Sequence, residues 1–375
     1  KFYNLKQLNI LKNKKNDIPK IGYFSPDFSN HPVLHLMVDT FKNHNKKDFE
    51  FYAFSFGLKA RSESHFKAKT YFKDFIYIDE ISDKNVAKLC RDIGIDIAID
   101  LCGHTAENRL GVFAERVAKN QVNYLGYPGT SGAKFIDYII ADKHIIPENE
   151  QKNYTEKVLY LPNCYQSNPT EDIISKKEFK KSDFNLPEDK FIYCNFNNHN
   201  KITPIMFKSW LRILKKVKNS VLWLYVTNDI AKNNILTEAR KSSINSNRII
   251  FADSLEHSEH LKRIELADLF LDTFPYNAHT TGRDSFRMGL PMITLEGNTF
   301  ASRVLSSILY FNDLKELITK NIEEYEKLAI KLGSDKTIYL ELKKKVKDRS
   351  INCELFNNEK FTKDLENIYK RILTC

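Results

Sequence analysis

Short apolar runs separated by stretches of helical periodicity recur twice along this chain of 375 residues, and that rhythm restricts the fold more than any other feature. KIGYFS (20–25), FEFYAFSF (49–56), DFIYID (74–79), IDIAIDL (95–101), QVNYLGYP (121–128) and DYIIAD (137–142) are mostly apolar on both faces. Such strands need cover above and below, as in a parallel sheet packed between helices. Segments 32–44 and 82–93 carry the helical pattern between them. A charge-dense stretch, 166–187, closed by Pro187, interrupts the alternation and reads as a linker. The rhythm then restarts with FIYCNF (191–196), SVLWLYV (220–226), NRIIFAD (247–253), ADLFLDTF (267–274) and LPMITLE (290–296), with helical patterns at 204–218, 229–243, 256–265, 280–288 and 301–309.

At about 100 to 200 residues per domain, the length fits two domains. The expected fold is α/β, with two doubly wound Rossmann-like domains facing a cleft. The expected division is a leader at 1–19, an N-terminal lobe at 20–168, a linker at 169–187 and a C-terminal lobe at 188–375. The last lobe carries a charged helical tail (321–332, 335–348, 358–373), which either crosses back to brace the cleft or lies solvated outside.

Several function classes are excluded. Neither G-x-x-x-x-G-K-[ST] nor G-x-G-x-x-G occurs, against a P-loop NTPase or a standard dinucleotide oxidoreductase. Six cysteines without a C-x-x-C pair read as reduced thiols in a cytoplasmic protein, without structural zinc. No apolar run approaches the ~18 to 20 residues that span a bilayer. The net charge of +10 is spread along the sequence, as on a solvated surface, and does not call for nucleic acid or a membrane.

Ligands of doubly wound sheets bind beyond the carboxyl ends of strands, so chemistry is sought in those loops. Three of only 12 glycines, Gly126, Gly129 and Gly132, crowd into LGYPGTSGA, where backbone can approach a ligand. In LDTFPYNAHTTGRDSFRMG (271–289), Thr280 and Thr281 are expected to cap a helix whose first amides make an anion site for a diphosphate. His279 shares that strand end, and Asp284, one turn inside, suits ribose hydroxyls. In CNFNNHNKITP (194–204), Lys201 suits neutralisation of a leaving phosphate, although solvent-facing lysines are common in this chain. His31, just before Pro32, is placed to accept or donate a proton, whereas His35 reads as a packed helix residue. His257 and His260 lack an evident third metal ligand; a ring stacked on a flat base, with Arg263 reaching for phosphate or the helix end, uses EHSEHLKRIE better.

These blocks, with NSVLWL, NRIIF and TFASRV, occur in the order found in the catalytic region of the protein O-GlcNAc transferase family, which the chain resembles from about Lys20 to its carboxyl end. The resemblance implies a GT-B type fold, a UDP-sugar donor as substrate, and inverting transfer to Ser or Thr hydroxyls of proteins with no metal or cofactor. By position, Lys201 would contact the diphosphate, Thr280 and Thr281 the phosphate oxygens, and Asn198 would stand near the phosphates where animal enzymes have Gln. His260 would stack on uracil, Arg263 would support that segment, and Asp284 would hold the ribose. Leu125 and Gly126 would line the sugar pocket, and His31, a candidate base, would lie beside the anomeric carbon. The family's tetratricopeptide superhelix and the insert of animal enzymes are absent from these residues, so 1–19, beginning at Lys1 and not Met, is expected to be the end of a repeat region.

Departures keep the donor open. His104 replaces a tyrosine of the animal enzymes and resembles the SPINDLY-type O-fucosyltransferases, which use GDP-fucose, whereas His279 in the HTT motif favours UDP. GlcNAc is the first expectation, with glucose or another UDP-hexose behind it. Transfer of glucose to Asn, and a nucleotide-sugar fold retained only for binding, are the competing readings. Oligomeric state is not legible.

Overall fold

The computed structural model describes residues 17–57 and 63–374, so most of the expected leader lies outside the described residues. The chain forms two compact units, one of Lys1–Thr170 with Glu354–Cys375, the other of Glu171–Cys353.

In the first unit the apolar runs become strands β1 (Lys20–Ser25), β2 (Glu50–Ser55), β3 (Asp74–Tyr77), β4 (Ile97–Asp100), β5 (Asn120–Asn123) and β6 (Tyr138–Ala141). A seventh strand, β7 (Lys157–Tyr160), joins the edge, giving the order β3-β2-β1-β4-β5-β6-β7. All pairings are parallel. Strand order reverses between β1 and β4, where Phe24 pairs with Asp100, so the loops after these strands flank the natural ligand crevice of the sheet. Helices α1 (Pro32–Asn43), α2 (Glu63–Lys69), α3 (Asp83–Ile93) and α4 (Leu110–Ala114) cover it. Pro at the first position starts α1, while Ser82 caps α3 and Gly94, at φ 83°, ends it.

The second unit repeats the plan. Strands β8 (Phe191–Asn195), β9 (Ser220–Tyr225), β10 (Ile249–Ala252), β11 (Leu269–Leu271), β12 (Met292–Leu295) and β13 (Ile318–Thr319) form a parallel sheet in the order β10-β9-β8-β11-β12-β13. The reversal falls between β8 and β11. Helices α5 (Pro204–Lys216), α6 (Asp229–Lys241), α7 (His257–Ile264), α8 (Thr280–Arg287) and α9 (Val304–Phe311) alternate with the strands, and α10 (Ile322–Ser334) and α11 (Lys336–Ile351) follow. Two fully buried tryptophans, Trp210 on α5 and Trp223 on β9, anchor the core.

The structure differs from the expected division at two places. The final helix, α12 (Asn358–Thr374), belongs to the first unit and not to a lobe spanning 188–375. Its buried face, Leu365, Ile368, Tyr369 and Ile372, packs against α1, and polar contacts fix it. Tyr369 OH lies 2.6 Å from Tyr23 OH, His44 Nδ1 lies 2.9 Å from Glu366 Oε1, and Asn358 Nδ2 donates to the Asn168 carbonyl at 2.8 Å. The expected linker is also no free tether. From Glu171 it belongs to the second unit, where Phe184 packs on Trp223 at 5.3 Å between centroids and the Ser175 amide donates to the Ser258 carbonyl. No described helix is long and apolar enough to cross a membrane.

Candidate functional site

Two loops of the second unit leave neighbouring strands at the point of reversal and are tied together by hydrogen bonds. Asn195, the last residue of β8, donates through Nδ2 to the Leu271 carbonyl at 2.7 Å. Two residues on, buried Asn197 donates to Thr273 Oγ1 at 2.9 Å and accepts from the Thr281 hydroxyl. Asn198 caps a short 3-10 turn, His199–Lys201, by accepting from the Asn200 amide. That turn swings Lys201 back over the second loop. Its Nζ donates to the Asn277 carbonyl at 2.9 Å and sits 3.9 Å from the centre of the Tyr276 ring.

Beneath the ammonium group lies Asp272, fully buried. Its Oδ1 accepts from the Thr273 and Ala278 amides at 2.8 and 2.7 Å, and its Oδ2 from the Thr294 hydroxyl at 2.7 Å. Burial brings the Lys201 pKa down to about 8, with the Asp272 charge acting in the opposite direction. Burial likewise raises Asp272 to about 6 against those hydrogen bonds. The site thus holds an ammonium group poorly supplied with solvent, and such a cation interacts strongly with an arriving anion.

Helix α8 begins here. Its N-cap is His279, whose side chain makes no capping hydrogen bond. The threonines were expected to cap the helix; instead Thr280 and Thr281 are its first two residues, and the Thr281 hydroxyl is turned to Asn197. The first helical amides therefore keep no side-chain acceptor among the described residues, which is what a helix start needs in order to take up an anion. The His279 ring stacks on Tyr276 at 4.8 Å, and its Nε2, shielded from solvent, has no hydrogen-bond partner among the described residues. Burial and the Lys201 charge push its pKa well below the usual histidine value, so the ring is neutral.

Asp284, inside α8, takes the Arg283 guanidinium on Oδ1 at 2.8 Å and His257 Nε2 on Oδ2 at 3.1 Å. Burial opposes its charge, yet His257 and Arg283 together hold its pKa below the ordinary carboxylate value. The same bond raises the pKa of His257 in spite of burial. His260, one turn along α7, stands edge-on to Phe196 at 5.3 Å and accepts at Nδ1 from Arg263 Nε at 2.9 Å. Burial and the Arg263 charge lower it to about 3, leaving a neutral flat ring. Arg263 does not reach out for phosphate. It is 2% exposed, lies over the Phe196 ring and donates to the Asp253 carbonyl, so it fixes the His260 ring from behind.

The candidates of the first unit follow strands β1, β4 and β5. His31 is the N-cap of α1; its Nδ1 lies 3.3 Å from the Val33 amide and 3.4 Å from Asp27 Oδ1. Leu125 adopts φ 67°, and a Cβ on Gly126 would come within 1.9 Å of the Leu101 carbonyl oxygen, so only glycine lets these loops close. His104 Nε2 donates to the Ser131 carbonyl at 2.7 Å, and the ring meets that of Tyr127 edge-on. Sequence reasoning passed over Asn197 and Asp272. The signal was their place at the strand ends, in FNN and LDT.

Among the described residues no cluster of three or more His, Cys, Asp or Glu is arranged to hold a metal ion. Residues 3–180 and 166–365 match glycosyl transferase family 41. Over 356 residues the chain is 36% identical to a protein of Arabidopsis thaliana described as the probable UDP-N-acetylglucosamine–peptide N-acetylglucosaminyltransferase SEC, covering 93% of this chain and 36% of that one. SPINDLY of Solanum lycopersicum, of the same description, is 32% identical over 360 residues, covering 93% and 38%. A mutant O-GlcNAc transferase of Thermobaculum terrenum superposes with a TM-score of 0.86 at 26% identity, covering 95% of this chain and 68% of that chain. UDP-GlcNAc 2-epimerase of Neisseria meningitidis shares the fold alone, with a TM-score of 0.52 at 11% identity. The chain therefore spans little more than a third of the length of the curated relatives it matches. With both halves matched and two parallel Rossmann-like sheets of the GT-B type, the chain belongs to glycosyl transferase family 41.

Proposed function

We propose that the chain is the catalytic region of a protein O-glycosyltransferase, transferring a sugar, GlcNAc before others, from a UDP-sugar to Ser or Thr hydroxyls with inversion and without a metal ion. The observation that carries this reading is Lys201 held beside the uncapped start of α8, at the reversal of the second sheet. The relatives' names, which specify UDP-N-acetylglucosamine and peptide, support the same donor and acceptor.

In this reading the diphosphate lies between Lys201 Nζ and the amides and hydroxyls of Thr280 and Thr281, with Asn198 beside it. His260 stacks on the base, Asp284 binds the ribose, and His279 offers its unpartnered Nε2 to the donor. Leu125 and Gly126 serve the sugar. The acceptor oxygen forms its bond to the anomeric carbon as the bond to the diphosphate oxygen breaks, and UDP departs with the electron pair. A single displacement inverts the centre. Charge grows on the leaving diphosphate, so Lys201 and the helix amides do most of the lowering of the barrier. His31 takes the hydroxyl proton. The reading places the protein in the cytoplasm, with no nucleic acid or membrane among its partners.

His104, seated against Ser131 and Tyr127, motivates a second donor, GDP-fucose. A donor screen with UDP-GlcNAc, UDP-glucose, UDP-galactose and GDP-fucose, followed by mass spectrometry of an acceptor peptide, separates the readings. GlcNAc on Ser or Thr is the expected product. Turnover of none of the four, or sugar located on Asn, contradicts the proposal.

A further inference from the structure

The segment that opens the second unit is exposed along most of its length, with Glu171 in solvent and Ile173 85% exposed, yet the side chain of Asp172 between them is 6% exposed. Its Oδ2 receives two guanidinium groups of α8, Arg283 Nη2 and, at 2.8 Å, Arg287 Nε. Arg283, itself 2% exposed, uses its other terminal nitrogen on Asp284. Asp284 in turn meets His257 of α7. Three residues further along the arm, the Ser175 amide donates to the Ser258 carbonyl, next to His257. The arm is thus tied to the start of α7 and to the middle and end of α8, the two helices that carry the proposed nucleotide contacts, and its buried charge sits at the far end of a continuous chain, Asp172, Arg283, Asp284, His257.

We propose that Asp172 is a positioning residue for the nucleotide site, holding Arg283 so that Asp284 presents its carboxylate in the orientation that binds the donor's ribose. The inference rests on the proposed assignment of Asp284. A buried acid taken from an exposed segment needs compensation, and two guanidiniums supply it. Without Asp172, Arg283 keeps its bond to Asp284 and turns more fully onto it, competing with ribose hydroxyls for the same oxygens. The titration of His257 reports on the chain. The groups facing it are Asp284 and Arg283 on α8, Asp172 on the arm and His260 on its own helix, and of these Asp284 and Asp172 raise its pKa whereas Arg283 lowers it.

Uridine diphosphate titrated calorimetrically into the full chain tests this. Asp172→Asn should weaken binding roughly tenfold, the scale of mutations that act through an intermediate residue. In transfer assays it should raise the donor KM with little change in kcat. Asp172→Glu should recover most of the affinity. The His257 ring pKa, followed by NMR, should fall in Asp172→Asn and stay near wild type in Asp172→Glu, a response that loss of packing alone does not produce. In the wild-type chain, UDP should also slow hydrogen exchange of amides in 171–177, a readout independent of whether Asp172→Asn folds. Wild-type affinity and an unchanged His257 in Asp172→Asn overturn the proposal, as does protection of α8 with none in 171–177. Failure of UDP to bind the wild-type chain overturns the site assignment itself.

Discussion

Lys201 Nζ lies 2.9 Å from the carbonyl oxygen of Asn277, so a cation from the loop after β8 is clamped onto the loop after β11 before any ligand arrives. Buried Asp272 lies under both. An ammonium group already fixed and partly stripped of water needs little reorganisation to meet a diphosphate.

Replacing Lys201 by Met keeps the apolar stem over Tyr276 and removes the charge. Transfer should fall by about 10² to 10³, the usual effect of losing one well-placed donor to a developing anion. The unfolding temperature should move by no more than a few degrees. Single-turnover kinetics beside thermal unfolding checks both; near-normal turnover removes Lys201 from the mechanism.

Lys201 titrates near 8 in the free protein because burial lowers it. A bound diphosphate favours the charged form and so raises that pKa. UDP binding should therefore take up protons at and above pH ~8, and affinity should decline as pH rises through the free-state value. Calorimetry in buffers of different ionisation enthalpy measures the uptake, and the Lys201→Met variant should lose it.

Thr280 and Thr281 should separate. Thr281 donates to buried Asn197, so Thr281→Val leaves an unsatisfied acceptor and should destabilise the second unit by about 1 to 3 kcal/mol as well as weakening UDP. The Thr280 side chain makes no such bond among the described residues, and Thr280→Val should weaken UDP with stability within about 0.5 kcal/mol. Denaturant melts paired with UDP titrations check the contrast.

In the first unit, Gly126→Ala would drive a Cβ to 1.9 Å from the Leu101 carbonyl. Backbone must move, so the loops after β4 and β5 should open at a cost of about 2 to 3 kcal/mol, with transfer lost and UDP binding by the second unit largely kept.

His44 is buried neutral, lowered by burial despite Glu366, and stacks on Phe51 at 3.8 Å. Below about pH 6.5 the unfolded chain binds a proton that folded His44 refuses, so its contribution falls as pH falls through that range. The stability advantage of wild type over His44→Gln should therefore shrink between pH 7 and 5. Hydrogen exchange of α1 and α12, the helices this histidine joins with Glu366, reports it locally.

The strands were legible where apolar runs were long enough to need cover on both faces, as in IDIAIDL. β7 and β13 were not, because KVLY and a two-residue strand sit at sheet edges, where one neighbour suffices and apolar length is not required. Lys201 and the HTT loop could be singled out because strand ends are where such sheets bind ligands, and the structure sets them on neighbouring loops. Asn197 and Asp272 escaped notice since their part lies in hydrogen-bond geometry, which spacing does not encode. Asp172 was hidden by its surroundings: in a charge-dense stretch, one acid bound for the interior looks like its solvated neighbours. The return of α12 stood as one of two open alternatives, since its amphipathic face states that it packs and not against which unit.

A structure of the chain crystallised with UDP tests the central claim most directly. The account predicts diphosphate oxygens within hydrogen-bond distance of Lys201 Nζ and of the Thr280 and Thr281 amides, with the base on His260. A nucleotide bound elsewhere, or one that leaves Lys201 on the Asn277 carbonyl and the start of α8 empty, would contradict it.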